Sequence, residues 1–434
     1  MKNIELICTL PCVVLLSLFG LYFTLKGKCF QIRGMKKLIS ENKSKESLSA
    51  FATALGGTVG IGSITGIGYA ISQGGAGSIF WMWVSSFFAM GIKYAETFVA
   101  VKYKSKKNGG AMFALRELGF ARLGIAFAVI TLFASLGGGN SAQSGAMAEA
   151  FSQIGVSPVA VAVISAVLLF IVLFGGKERI IKVNSFLVPI STVLYVLGVV
   201  FILFKTHEKI PQALLLIVED AFGVKQMSAG ASAYFFTVAL RTGVVRGVFS
   251  HEAGMGSSPI AHASASGSSE EKQGLWAVSE IYVDTFLVST LTALCLLCAD
   301  TYSVSKLFLM FFGGGGGIAF AFFMAVFAFA AVLSWCYYSE ACLKFLFGDS
   351  GRSFGVYKIV SIITFSLGCI LPISLSMGLS DVLNCLMTYP NLFLLFIKRK
   401  EISYGEGKKQ RSVLGDECKR RSSCAGKLTI GFKN

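Results

Sequence analysis

The chain has 434 residues, of which 54% are hydrophobic and only 14% charged, with a net charge of +16. Water-soluble domains carry about 25% charged residues, so composition alone excludes one. The excess of Lys and Arg is scattered over short connections between apolar runs and over the tail, which argues against a nucleic-acid partner.

The first apolar run covers residues 7–25. It follows Lys2 as a signal peptide would, but it is longer than a typical signal core. No small-residue cleavage site separates it from the basic stretch at 26–45, so it reads as a retained helix. About 18 apolar residues suffice to cross a hydrocarbon core roughly 30 Å thick. By that measure further spans are expected at 49–72, 77–101, 123–150, 157–175, 183–204, 229–250, 275–299, 306–339, 356–378 and 381–397. The fold class is therefore an all-α integral membrane protein with about eleven transmembrane helices, its partner being the lipid bilayer. The eleven cysteines lie mostly inside the runs, and Cys295 and Cys298, although spaced like a redox pair, read as packing residues.

Loop charges give the orientation, since cytoplasmic loops are enriched in Lys and Arg. The connection after the first span holds Lys26, Lys28, Arg33, Lys36, Lys37, Lys43 and Lys45. The one after the third holds Lys102, Lys104, Lys106, Lys107, Arg116 and Arg122, and the one after the fifth Lys177, Arg179 and Lys182. The intervening connections are uncharged or mixed. This alternation predicts a multi-pass protein of the cell membrane with its N-terminus outside and its C-terminus in the cytoplasm.

Two spans look broken. Residues 47–92 carry no charge, and at their centre stands LGGTVGIGSITGIG, with glycines at 56, 57, 60, 62, 66 and 68. Glycine in a helix interior costs about 1 kcal/mol relative to alanine, so this density favours unwinding, and freed backbone at membrane depth must be buried or line a cavity. Five helices later comes RTGVVRGVFSHEAGMGSSPIAHA, interrupted by Gly243, Gly247, Gly254, Gly256 and Pro259. The breaks open corresponding helices of two five-helix halves, and because five is odd the halves lie in opposite orientations, as in many secondary transporters. The simpler alternative for the glycines is close helix packing. Arg246, His251, Glu252 and His262 are harder to explain that way, because charge near the bilayer centre costs roughly 2.5 to 3.5 kcal/mol. For Arg246 and Glu252 a self-neutralising pair and a gating role both stand open. A membrane enzyme is disfavoured, since HEAGM lacks the second histidine of a zinc site, and no repeated pore ring suggests a channel.

Three stretches, GGAGSIFWMWVSSFFAMGIKYAETFVAVKY (74–103), RGVFSHEAGMGSSPIAHA (246–263) and LSWCYYSEACLKFLFG (333–348), closely resemble the alanine or glycine:cation symporter family. The resemblance runs from about Leu21 to Phe396. It implies a leucine-transporter-type fold of two inverted five-helix repeats with one extra N-terminal helix. On that plan residues 1–46 are the extra helix and a basic loop, 47–225 the first repeat, 226–397 the second, and 398–434 a basic hydrophilic tail. The implied activity is secondary active symport of sodium with alanine, glycine or a similar small amino acid by alternating access. No cofactor is expected beyond sodium as coupling ion.

The site implied by the resemblance combines Gly57, Thr58, Gly60, Gly62 and Ser63 of the first break with Ser250, His251, Gly254 and Met255 of the second. Asn140, Gln143 and Ser144 add side-chain polarity from GGGNSAQS, although alone such residues are as readily interhelical glue. Trp335 would cap the pocket or, alternatively, serve as an interfacial anchor. Thr58 and Ser63 are the expected sodium ligands. Ser63 stands where family members carry asparagine, and so does His251. Both changes alter the oxygen donors and make proton coupling the alternative, histidine titrating near physiological pH. The tail after Ile397 departs from the family and leaves the last expected span at marginal length.

Overall fold

The computed structural model describes residues 2–40, 44–105, 108–223 and 229–404, so the basic tail from 405 onward lies outside the described residues. The described chain is helical, with one isolated bridge between Ser105 and Asn108. α1 (Lys2–Lys26) is the extra helix, followed by the short amphipathic α2 (Phe30–Ser40). The first broken span is α3 (Lys45–Thr58) plus α4 (Thr65–Gly74). α3 starts on a Ser44 cap whose side chain accepts the Ser47 N–H. α5 (Gly77–Lys102) follows at 118° to α4.

After α6 (Ala111–Glu117), the fourth span is composite. It runs as α7 (Ala121–Ala134), a π-helical stretch Ser135–Ala142, and α8 (Gln143–Ser152). α9 (Pro158–Leu173) and α10 (Lys177–Lys205) complete the first half, and α11 (Ile210–Ala221) leads to the second. The carboxylate of Asp220 accepts the Gly77 N–H at 2.8 Å, which caps the start of α5 with an anion.

The second broken span is α12 (Ala229–Ser250) plus α13 (Pro259–His262). Next comes α14 (Glu270–Ile281), a second π-helical stretch Tyr282–Ser289, and α15 (Thr290–Cys298) as one span. α16 (Val304–Phe347), α17 (Gly351–Gly368) and α18 (Ile373–Lys398) end the described chain. α16 turns a corner at Gly313, whose φ of 63° suits glycine alone, so the expected 306–339 span is a short segment followed by a long helix. α1, α12 and α14 pack on α5, while α10 and α16 pack on α3.

Each of the eleven expected spans falls on a helix or a broken or composite one. Six pass a length and hydropathy test alone, and α4 with α5 passes together. One boundary needs correction. The expected spans 356–378 and 381–397 divide earlier, at Pro372, which cannot continue α17 and instead precedes α18. The last helix therefore has 26 residues, and its expected marginal length disappears. Cys295 and Cys298 are buried and free.

The basic connections share one face. Lys26 donates to the backbone carbonyls of Arg399 and Ile402, Lys102 pairs with Glu401 at 2.8 Å, and Ser403 donates to Glu271 at 2.5 Å. The Arg116 guanidinium lies over both Phe113 and Phe345. The ends of α1, α5, α16 and α18 and the start of α14 thus meet on the same side.

Candidate functional site

The second break is held open from outside. Beyond Ser250 the backbone enters the left-handed region at Glu252 (φ 54°), Gly254 (85°) and Gly256 (74°), so its N–H and C=O groups lose their helical partners. α5 supplies replacements. Glu96 Oε2 accepts the N–H groups of Gly254 at 3.1 Å and Gly256 at 3.0 Å. Asn391 of α18 donates to the same oxygen at 2.8 Å and to the Gly254 carbonyl at 2.9 Å.

One turn earlier on the same face of α5, Lys93 donates to the His251 carbonyl at 2.8 Å and pairs with Glu280 at 3.2 Å. Glu280 also contacts His262 Nε2 at 2.5 Å, and His262 Nδ1 meets Gln273 at 2.9 Å. Lys93, Glu280 and His262 have no solvent exposure. Ionisable groups at this depth persist when paired and hydrogen-bonded, and this ladder provides both.

An oxygen cluster joins the two breaks. Ser63 Oγ lies 3.2 Å from Ser250 Oγ and also donates to Asp284 Oδ1. Ser250 and Thr285 donate to Asp284 Oδ2 at 3.0 and 3.1 Å. The Thr58 carbonyl stands 3.5 Å from Ser63 Oγ, and Ser289 reaches the Ser63 carbonyl at 3.4 Å. Asp284 sits in the π-helical stretch of the α14–α15 span, and widened turns of this kind recur at functional sites. The cluster is buried, contains oxygen donors only and carries one carboxylate, a donor set suited to a hard cation. Among the described residues no group of three or more His, Cys, Asp or Glu could hold a metal ion.

Beside the cluster opens a cavity of about 80 Å³, room for a few waters or one small solute. The first break contributes Gly57, Thr58, Ile61 and Gly62, and the fourth span Gly138, Ala142 and Gln143. The second break contributes Arg246, Phe249, Ser250 and Glu252. Trp335 of α16 closes one side, with Met377, Ser380, Asp381 and Asn384 of α18 on another. Gln143 accepts the Ile61 N–H at 3.4 Å and so takes up one freed donor of the first break.

Of the residues expected at the site, Gly57, Thr58, Gly62, Gln143, Ser250 and Trp335 line this cavity. Ser63 lies in the oxygen cluster, and Gly60 packs against Gln143, whose Oε1 is 3.0 Å from where a Cβ would stand. The others face elsewhere. Asn140 points at the Ser361 carbonyl at 3.5 Å, and Ser144 bonds the Ser141 carbonyl at 3.0 Å beside Gly368. His251 has no exposure, its Nδ1 accepts the Ala253 N–H at 3.3 Å, and its ring is not part of the cavity wall. Gly254 and Met255 belong to the backbone turn held by Glu96. The self-neutralising pair of Arg246 and Glu252 is not formed. Arg246 rests over the Tyr69 ring at 4.8 Å, and Glu252 accepts from Ser257 at 2.6 Å. Sequence reasoning passed over Asp284, Lys93, Glu96 and Glu280, although an acid or base inside an apolar span is itself a signal.

The sodium:alanine symporter family matches residues 2–405. An uncharacterized transporter of Haemophilus influenzae is 35% identical, covering 90% of this chain and 91% of its own. A sodium/alanine symporter of Methanococcus maripaludis is 34% identical over 89% of this chain and 91% of its own. A probable sodium/glutamine symporter of Bacillus subtilis is 33% identical over 90% and 86%. Among solved structures, a sodium-coupled sialic acid symporter superposes with a TM-score of 0.57 at 14% identity, covering 92% of this chain and 98% of its own. MhsT bound to L-phenylalanine gives 0.51 at 16% identity, covering 82% and 97%. These two share the leucine-transporter-type fold with this chain. The chain is thus a membrane transporter, not an enzyme, and it belongs to the sodium:alanine symporter family.

Proposed function

We propose that the protein is a sodium-coupled symporter for a small neutral amino acid of the alanine or glycine class, residing in the cell membrane with its N-terminus outside and its C-terminus in the cytoplasm. The observation that carries the reading is the oxygen cluster shared by the two breaks, with Ser63 from one and Ser250 from the other meeting on Asp284. Sodium held by Ser63, Ser250, Asp284 and the Thr58 carbonyl would tie the two breaks together next to the cavity. Ion binding then changes the shape offered to the solute, and by linkage solute binding strengthens ion binding. Trp335 on the cavity wall would bound the space left for the solute's side chain and so favour glycine or alanine over a solute with a long one.

The unwound backbone of the first break lines the cavity at Ile61 and Gly62 and would receive the solute carboxylate, as the interrupted helices of such transporters do. The orientation rests on the positive charge of the shared loop face. Proton coupling through His251 is disfavoured by the placement of its ring away from the cavity.

The test is uptake of labelled alanine by proteoliposomes under imposed gradients. Sodium should drive accumulation, and Asp284→Asn should abolish the sodium dependence. Equal uptake under a proton gradient without sodium would refute the proposal.

A further inference from the structure

The cavity contains a carboxylate without a cationic partner. Glu252 lies on the cavity wall and is only 4% exposed. Among the described residues no Lys, Arg or His stands within ion-pair distance of it. The nearby Lys93 is engaged by Glu280 at 3.2 Å and by the His251 carbonyl at 2.8 Å. A buried ionised carboxylate left in this way costs several kcal/mol unless it takes up a proton or a cationic group reaches it.

The backbone at Glu252 adds a second, independent observation. Its φ of 54° is one that glycine adopts freely and other residues adopt at a penalty. Gly254 and Gly256 occupy the neighbouring positive-φ positions, so the turn readily uses glycine where no side chain is needed. At 252 the chain bears the penalty and keeps a carboxylate. That carboxylate is also held. Ser257 donates to Oε2 at 2.6 Å, which leaves Oε1 without a hydrogen bond to it, and the side chain lies on the cavity wall together with Trp335.

We propose that Glu252 is the amine-recognising residue of the transport site, receiving the ammonium group of the solute. This rests on the small amino-acid symport proposed above. The solute is then read at both ends, its carboxylate at the first break and its ammonium at the second, and Trp335 limits what lies between them. Sodium does not compete for Glu252, because the donor-rich shell suited to it is the Asp284 cluster. Solutes of the same size without an ammonium group, such as propionate and lactate, are excluded: they would leave the carboxylate buried and unpaired. Sites built to hydrogen-bond a substrate group reject analogues lacking it by up to about 10⁴-fold or more.

The experiment measures sodium-driven uptake of labelled alanine with unlabelled glycine, propionate, L-lactate and N-acetylalanine as competitors, for the wild type and Glu252→Gln. Wild type should be inhibited by glycine and at least about 100-fold more weakly by the three analogues. In Glu252→Gln the apparent alanine affinity should fall at least about tenfold, its advantage over lactate should shrink by a similar factor, and the sodium half-saturation, measured at alanine concentrations saturating for each protein, should stay constant. A variant that keeps full discrimination overturns the assignment, as does one whose sodium half-saturation shifts while amine selectivity persists, since Glu252 would then serve the cation. If Glu252→Gln does not fold, judged by melting in detergent, Glu252→Asp takes its place, and wild-type inhibition by lactate as strong as by glycine refutes the idea alone. Failure of wild type to take up any amino acid with sodium would instead overturn the symport reading.

Discussion

Removing Glu96 tests the claim that α5 holds the second break open by satisfying its backbone. One oxygen of this carboxylate accepts three donors, from Gly254 at 3.1 Å, Gly256 at 3.0 Å and Asn391 at 2.8 Å. In Glu96→Ala all three are left buried without that acceptor, at about 1 to 3 kcal/mol each. Even with incomplete additivity, about 3 to 6 kcal/mol is lost, a large share of the 5 to 15 kcal/mol typical of a folded domain. Glu96→Gln separates donor satisfaction from charge. Its amide oxygen can keep the three bonds at roughly half their charge-assisted strength, and its NH₂ replaces Oε1, which has no partner among the described residues. We therefore expect Glu96→Ala to accumulate poorly and melt far below wild type in detergent. Glu96→Gln should accumulate, melt a few degrees lower and transport with reduced maximal rate. Melting followed by tryptophan fluorescence, alongside sodium-driven uptake, reads both effects. An alanine variant with wild-type melting and uptake would refute the role of Glu96. So would equal damage from the two substitutions, because charge would then matter and donor satisfaction would not.

Three further outcomes follow from the geometry. Trp335→Ala should enlarge the cavity and admit amino acids longer than alanine, while Gly139→Ala, whose Cβ would stand 2.4 Å from the indole, should displace Trp335 and weaken alanine uptake; competition assays with an amino-acid series check both. Gly68→Ala places a Cβ 2.0 Å from the Tyr302 carbonyl oxygen, a backbone atom that cannot swing away, so expression and melting temperature should collapse, whereas Gly355→Ala meets nothing within 4 Å and should behave as wild type. On the loop face, burial pushes the Glu401 carboxyl up, but hydrogen bonds from Lys102, Lys398 and Tyr103 outweigh it and hold it down to about 2. Its contribution is present above the usual carboxylate pKa near 4.5 and is lost as pH falls from there through about 2. Hydrogen exchange at 399–404, corrected for intrinsic rates, should therefore stay flat from pH 8 to 5 and rise only in acid, and Glu401→Gln should raise it already at pH 7.

What could be read from the sequence follows the strength of the physical signal. Apolar runs are long and the bilayer is intolerant, so the spans were legible, and so were the breaks, because clustered glycine at membrane depth has few uses. The junction at Pro372 was missed because 356–397 is nearly continuously apolar and one proline marks the division. The site was harder for a different reason. The family resemblance implied Asn140, Gln143 and Ser144 at the site together, and in a regular α-helix the three would share one face. The π-helical stretch Ser135–Ala142 has a wider turn and resets the helix phase. Gln143 reaches the cavity, while Asn140 and Ser144 are carried round to α17. The same logic separates His251 from Ser250 and Glu252. They are neighbours in sequence, but between Ser250 at the end of α12 and the left-handed turn at Glu252 the chain changes direction. The ring therefore turns into the protein while the residues on either side line the cavity. Side-chain identity names the residues able to do the chemistry. Backbone phase decides which of them do it, and in this chain that phase is set by partners as distant in sequence as Glu96 and Asn391.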